Sequence, residues 1–275
     1  MYRKKIKKDR VDVCNICGKV KPLTWEHVPP QCCDNNGEFK INKLFNIDNI
    51  NEKLDSQNGI KYRTLCDNCN NNILGANADI AFEDFYKKVK LFCQDLKKMT
   101  DEAIININLV QVLKCLFGKL LAMDEFFATD NISNAMREFI LEDKIDFDNL
   151  HVYFWIYPYN TSIQARLHVS RQVEGIKYNT EGLISLLYFY PLAFVVSSQK
   201  EKLIMADLMS YVDFEKPFIS LKISPVASIN PFTNQLLPFN FLDVVDDGHM
   251  ILTNEKNNNK IARRKIRWWF IKNKP

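Results

Sequence analysis

Two Cys-x-x-Cys pairs, Cys14/Cys17 and Cys66/Cys69, constrain this chain more than any other feature. Cysteines two residues apart can place both sulfurs on one ion, and two such pairs complete the tetrahedral four-cysteine set that zinc takes in closed structural sites. Such a knot makes the chain between Cys17 and Cys66 return on itself, so the residues near its two ends meet in space. One end carries Glu26-His27-Val28-Pro29-Pro30, and the other runs straight into Asn70-Asn71-Asn72. No other cysteine pair is as well spaced. Cys32 and Cys33 are adjacent, an awkward arrangement for one ion. Cys93 and Cys115 fall at apolar positions of helical patterns, where a free thiol behaves as a small hydrophobe. A redox pair at Cys14 and Cys17, free of metal, is the alternative reading. Eight cysteines in 275 residues are too sparse for a disulfide scaffold, and the opening MYRKKIKKDR has no apolar run behind it of the kind a secretory signal needs.

Around the cysteines the patterning predicts a strand over Leu23 to Val28, a second strand over Ile60 to Leu65, and a helix beginning at Cys69. The pleat sets Glu26 and His27 on opposite sides of the first strand. Asn70 and Asn71 then lie at a helix N-terminus, whose free N–H groups and positive dipole end favour a phosphate. Without the metal, a unit this small would bury too little apolar surface to hold a site in place.

The segment CNICGKVKPLTWEHVPP and the later YRTLCDNCNNNILG resemble the HNH endonuclease family, whose active centre is a ββα-metal fold built around a zinc held by four cysteines. The resemblance covers roughly residues 10 to 80. It rests on the cysteine pairs, the Glu-His-x-x-Pro and the asparagine after the last cysteine. It implies structural zinc on Cys14, Cys17, Cys66 and Cys69, His27 as general base, and Glu26 with Asn70 on a catalytic Mg²⁺ or Mn²⁺, Asn71 being the reserve ligand or a substrate contact. The residue chemistry agrees: a neutral imidazole can take a proton from water, and carboxylate and amide oxygens suit a hard cation. Lys61 and Arg63, on the strand leading into Cys66, are the candidates for gripping phosphates. The implied activity is hydrolysis of DNA phosphodiesters, in bacterial or phage defence or in a mobile element. One such centre cuts one strand, so duplex cleavage calls for a homodimer, a partner protein or two encounters. Many family members brace the loop after the histidine with an asparagine about six residues before the third cysteine. That position here is Ile60, and Asn58 lies two residues earlier, so the brace is unassigned.

Each of these residues also has a structural reading. His27 can fix the turn before two prolines, Glu26 can pair with Lys21, and Asn70 can cap the helix. On that reading the cysteine unit is a non-catalytic zinc module that binds nucleic acid or organises a protein complex.

Composition sets the outer limits. With 47% apolar and 25% charged side chains the chain is ordinary globular protein, and its net charge of +4 permits nucleic-acid binding without arguing for it. No segment reaches the roughly 20 apolar residues of a membrane helix. LISLLYFYPLAFVV comes nearest and is broken by Pro191. A cytoplasmic location is expected. The basic residues cluster at the ends: Arg3, Lys4, Lys5, Lys7, Lys8 and Arg10 at the start, and Arg263, Arg264, Lys265, Arg267, Lys272 and Lys274 around Trp268 and Trp269. The closing segment reads either as a strand-holding surface, with arginines on phosphates and indoles on bases, or as a terminal strand packing Ile266, Trp268 and Phe270 inward.

After the site the apolar period becomes helical. Phe82, Phe85, Val89, Phe92 and Leu96 mark one helix; Leu109 to Leu121 mark a second, from about Asn106 to Phe127; and Ser133 is the expected cap of a third, through Leu141. From His151 the runs HVYFWIY, SIQARLHVS, LLYFY, AFVVSS, KLIMADL and PFISLKI read as strands. His151 and His168 are ordinary strand residues on this reading, and His249 lies in a turn. The expected architecture is α+β. A zinc-pinned ββα-metal (HNH) unit over residues 1–80 is followed over 81–275 by helices (about 80–142) and a mostly antiparallel sheet (about 151–270) that recognises substrate or partner.

Overall fold

A computed structural model describes residues 8–37, 39–44, 53–56, 58–94, 102–124, 126–157, 161–173, 176–198, 200, 207–223 and 249–255. The first strands are β1 (Val11–Val13), β2 (Val20–His27), β3 (Phe39–Leu44), β4 (Lys53–Ser56) and β5 (Lys61–Cys66). A π-helical segment, Asn68–Ala78, runs without a break into α1 (Asp79–Gln94). Then come β6 (Ala103–Asn108), α2 (Leu109–Ala122) and α3 (Asn131–Glu142). The rest is β7 (His151–Ile156), β8 (Thr161–Val173), β9 (Ile176–Phe189), β10 (Leu192–Ser197), β11 (Phe218–Ile223) and β12 (His249–Glu255). The protein is a mixed α+β structure with antiparallel sheets and a cysteine cluster near the start of the chain.

Three sheets form: β1-β2-β5, a seven-stranded sheet in the order β4-β3-β12-β8-β9-β10-β7, and the pair β11-β6. The helices pack between the small cysteine-bearing sheet and the large one. Phe82 and Phe85 of α1 meet Phe189, Phe194 and Phe154 of the large sheet, with ring centroids 5.1 to 6.3 Å apart. Each fully buried aromatic ring of this kind stabilises by about 1.5–3 kcal/mol. On the other side Leu74 of the π-helical segment lies against Gly118 of α2, where an added Cβ would sit 2.4 Å from a Leu74 methyl carbon. Glycine here lets the two helices approach closely, and that approach sets the depth at which the next residue, Lys119, is buried.

A single core takes in buried side chains on both sides of residue 80, Cys14 and Ile223 among them, and β3 and β4 join the large sheet. Several expectations change. The second helix starts at Leu109, because Ile104, Ile105 and Ile107 favour an extended chain that pairs with β11 and the Asn108 side chain caps the helix by accepting from Gln111 N–H (3.1 Å). PFISLKI accordingly pairs with β6, outside the large sheet. The cap of α3 is Asp130, whose Oδ1 accepts the Ser133 N–H at 2.8 Å; Ser133 lies inside the helix. At the end of KLIMADL, Leu208–Tyr211 is a short 3-10 turn capped by Asp207. His249 begins β12 instead of lying in a turn. His151 holds Asp207 through Nδ1 at 2.7 Å, which fastens that turn to β7. Lys8 is buried, its ammonium donating to Val13 O and Asn15 Oδ1. The basic-aromatic closing segment and Arg3, Lys4, Lys5 and Lys7 lie outside the described residues. Among the described residues no helix is long and apolar enough to cross a membrane.

Candidate metal centre and the histidine beside it

Cys14 and Cys17 sit in the turn joining β1 to β2; Cys66 ends β5, and Cys69 lies in the first turn of the π-helical segment. Their four sulfurs lie within 4.8 Å of one another. Cys14 and Cys69 are fully buried and Cys66 nearly so. The Cys14 sulfur accepts from the Cys69 thiol and from the Cys66 N–H (3.3 Å), which holds its pKa down to about 4. Cys69, as that donor, is pushed up. Four thiolates at this spacing repel unless a cation joins them, and the all-sulfur, closed, buried donor set fits structural zinc. Asn15, between the first two cysteines, donates to Leu121 O and Asp124 O, and Arg137 Nε donates to Asn15 O. The knot is thus fastened to the end of α2 and to α3.

Beside the knot, β2 and β5 pair with the register Trp25↔Arg63, Glu26↔Tyr62 and His27↔Lys61, after a bulge between Thr24 and Trp25. Alternation turns Glu26 and Tyr62 inward and leaves Trp25, His27, Lys61 and Arg63 on the outer face. Of the three consecutive asparagines only Asn70 is buried. Its amide donates to Thr24 Oγ1 (3.0 Å) and Trp25 O (3.1 Å), tying the helix start to β2, and it adjoins the Glu26 carboxylate. Asn71 and Asn72 are exposed and bond one helical turn back, to Asp67 and Asn68.

Glu26 is 5% exposed and pairs with the ammonium of Lys119, which reaches Asp79 at 2.7 Å on its other side. Burial raises the Glu26 pKa, while Lys119 and Asn70 act in the opposite direction. His27 Nε2 lies 3.3 Å from the Asn58 carbonyl oxygen. A carbonyl can only accept, so Nε2 carries the proton and Nδ1 keeps the lone pair. Burial, reinforced by Lys61 and Lys119, lowers the His27 pKa, so the ring is neutral at cellular pH. Lys61 and Arg63 approach the Trp25 ring, at 5.6 and 5.5 Å from its centroid, and Arg63 also donates to Lys8 O.

The brace of the histidine loop is Asn35. Buried, it donates to Pro29 O (2.6 Å) and Ile60 O (3.0 Å) and accepts the Ile60 N–H (2.7 Å), joining the segment after His27 to the approach to β5. Gly59, at φ +70°, passes so close to Asn35 that a Cβ would lie 2.1 Å from its carbonyl oxygen. A second clamp comes from β8: Gln164, fully buried, donates to Val28 O (2.5 Å) and accepts from Tyr62 OH (2.8 Å). Sequence reasoning missed Asn35, Gln164, Asp79 and Lys119. Only Lys119 left a signal, as a lone charge inside the otherwise apolar run CLFGKLLAM, where an ammonium has apolar neighbours on every side. Comparison with known proteins finds no matching family model, no matching curated protein and no matching solved structure.

Proposed function

We propose that this chain is a metal-dependent endonuclease of the HNH type that hydrolyses DNA phosphodiesters, as the resemblance implies. The observation that carries the reading is His27, a neutral imidazole with one nitrogen anchored on a backbone carbonyl and the other left as a proton acceptor. Next to it in the chain, Glu26 is held beside Asn70 by the cysteine-pinned helix start. Glu26 and Asn70 would hold Mg²⁺ or Mn²⁺, their oxygen donors suiting a hard cation. When bound, the ion supplies charge stabilisation at the phosphoryl oxygens. His27 Nδ1 takes the proton of the attacking water, Asn58 fixes the ring's tautomer, and Asn35 and Gln164 hold the loop that carries it. Lys61 and Arg63 hold phosphates on the same face. A defence or mobile-element setting, and a second copy or partner for duplex cutting, belong to the same proposal.

The alternative, a non-catalytic zinc module, is favoured by two observations: Glu26 is buried on the side of β2 opposite His27, and its charge is neutralised by Lys119. Plasmid nicking with Mg²⁺, with Mn²⁺ and with neither, by wild type and His27→Ala at equal zinc content, separates the two. The nuclease reading expects metal-stimulated nicking that falls by about 100-fold or more in the variant. Intact plasmid throughout supports the zinc module.

A further inference from the structure

Trp25 is 43% exposed, although its strand lies against a well-packed core. It occupies the outer face of the β2–β5 ladder together with His27, and these two residues pair across the ladder with Arg63 and Lys61. Both cations reach the indole from β5. The result is a planar aromatic surface, two positive charges and an imidazole on two alternate rungs, with Trp25 and His27 about 7 Å apart along the strand. The inner face of the same strands is spent on Glu26, Tyr62 and the core, so among the described residues nothing in the packing calls for an indole on the outside.

We infer that Trp25 is a stacking platform for an unpaired base, and that the nucleic acid this face accepts is a single strand or a locally unpaired segment. An indole stacks on any base through its π-face, and Lys61 and Arg63 supply the charge that tracks the adjoining phosphates. A base within an intact duplex is stacked on both sides and offers the indole no free face. The same spacing puts the phosphate adjoining the stacked base beside His27. The inference deepens the nuclease proposal by naming its substrate class and rests on that proposal only for the cutting step. Binding stands by itself.

The test uses the full zinc-loaded chain without added Mg²⁺ or Mn²⁺, so that cutting does not contribute. Fluorescence anisotropy is read with a labelled oligodeoxynucleotide of about twelve nucleotides, single-stranded and as the duplex of the same sequence. Wild type is expected to prefer the single strand. Trp25→Ala is expected to weaken single-strand binding about 5- to 100-fold, with duplex binding changed little. Trp25→Phe, which keeps a π-face, is expected to retain most of the affinity. Lys61→Ala and Arg63→Ala should each lower the salt slope for the single strand by about 0.7. Zinc content and melting temperature show that the variants are folded. Equal affinity for both forms, no binding by wild type, or single-strand binding indifferent to Trp25→Ala overturns the inference. If the Trp25 dependence appears but wild type never nicks a plasmid with Mg²⁺ or Mn²⁺, the nuclease proposal fails and this one survives.

Discussion

Lys119→Met removes a charge while keeping the length and apolar stem of the side chain, so its cost isolates the ion pairs from packing. The lysine side chain is 1% exposed and Glu26 7%, whereas Asp79 is 31% exposed and partly screened by solvent. Removing one partner of a buried pair leaves the other charge without compensation, at a cost of about 3–5 kcal/mol. Nearly all of that falls on Glu26, because Asp79 can turn to water. For a chain of this size, 1 kcal/mol moves the melting temperature by about 2–4 °C, so Lys119→Met should melt roughly 6–20 °C below wild type. Glu26→Gln/Lys119→Met, with the facing carboxylate neutralised as well, should recover most of the loss. If the vacated position accepts a divalent cation, Mn²⁺ at about 100 times its Kd should return about 2.7 kcal/mol to the single variant and less to the double. The measurement is thermal unfolding followed by fluorescence at equal zinc content, with and without Mn²⁺. A single variant within about 1 kcal/mol of wild type, or a double variant worse than the single, would refute the claim that Lys119 exists to neutralise Glu26.

Three further outcomes are expected. Asn35→Ala leaves the Ile60 N–H and the Pro29 carbonyl buried without their partner, while the Ile60 carbonyl still accepts the Val28 N–H, so it should cost about 2–4 kcal/mol in urea unfolding, and an unchanged midpoint would show that Asn35 is no brace. Cys69→Ser should lower bound zinc in elemental analysis and, because Asn70 is its neighbour, expose the helix start to amide exchange; full zinc with unchanged protection would sink that link. Burial pushes the Asp124 carboxyl up to about 6, above its value in the unfolded chain, despite the Arg166 guanidinium at 2.7 Å. Its protonated form is therefore favoured by folding: the contribution is fully present below about pH 4 and is lost as pH rises through about 6, some 3 kcal/mol in all. Asp124→Asn should flatten the stability profile between those limits, and an unchanged slope in urea titrations across that range would contradict the assignment.

What the sequence determined by itself was local. The cysteine spacing picked out the four sulfurs that converge, because two residues is the reach that puts neighbouring thiols on one ion. Strand alternation placed Glu26 and His27 on opposite faces, and the helical period of Phe82, Phe85 and Val89 marked the buried side of α1. The start of α2 was misread because isoleucines suit either element and only the pairing with β11 decides between them.

The tertiary structure decided everything that depends on a distant partner. Asn35 looks like a polar loop residue until Ile60 arrives beside it, and Gln164 like one strand residue among many until β8 lies against Val28. Lys119 becomes the counter-charge of Glu26, 93 positions away, only because Gly118 lets α2 settle against the π-helical segment. A charge or amide can be buried only where its partner is also delivered, and local spacing does not record which remote segment delivers it.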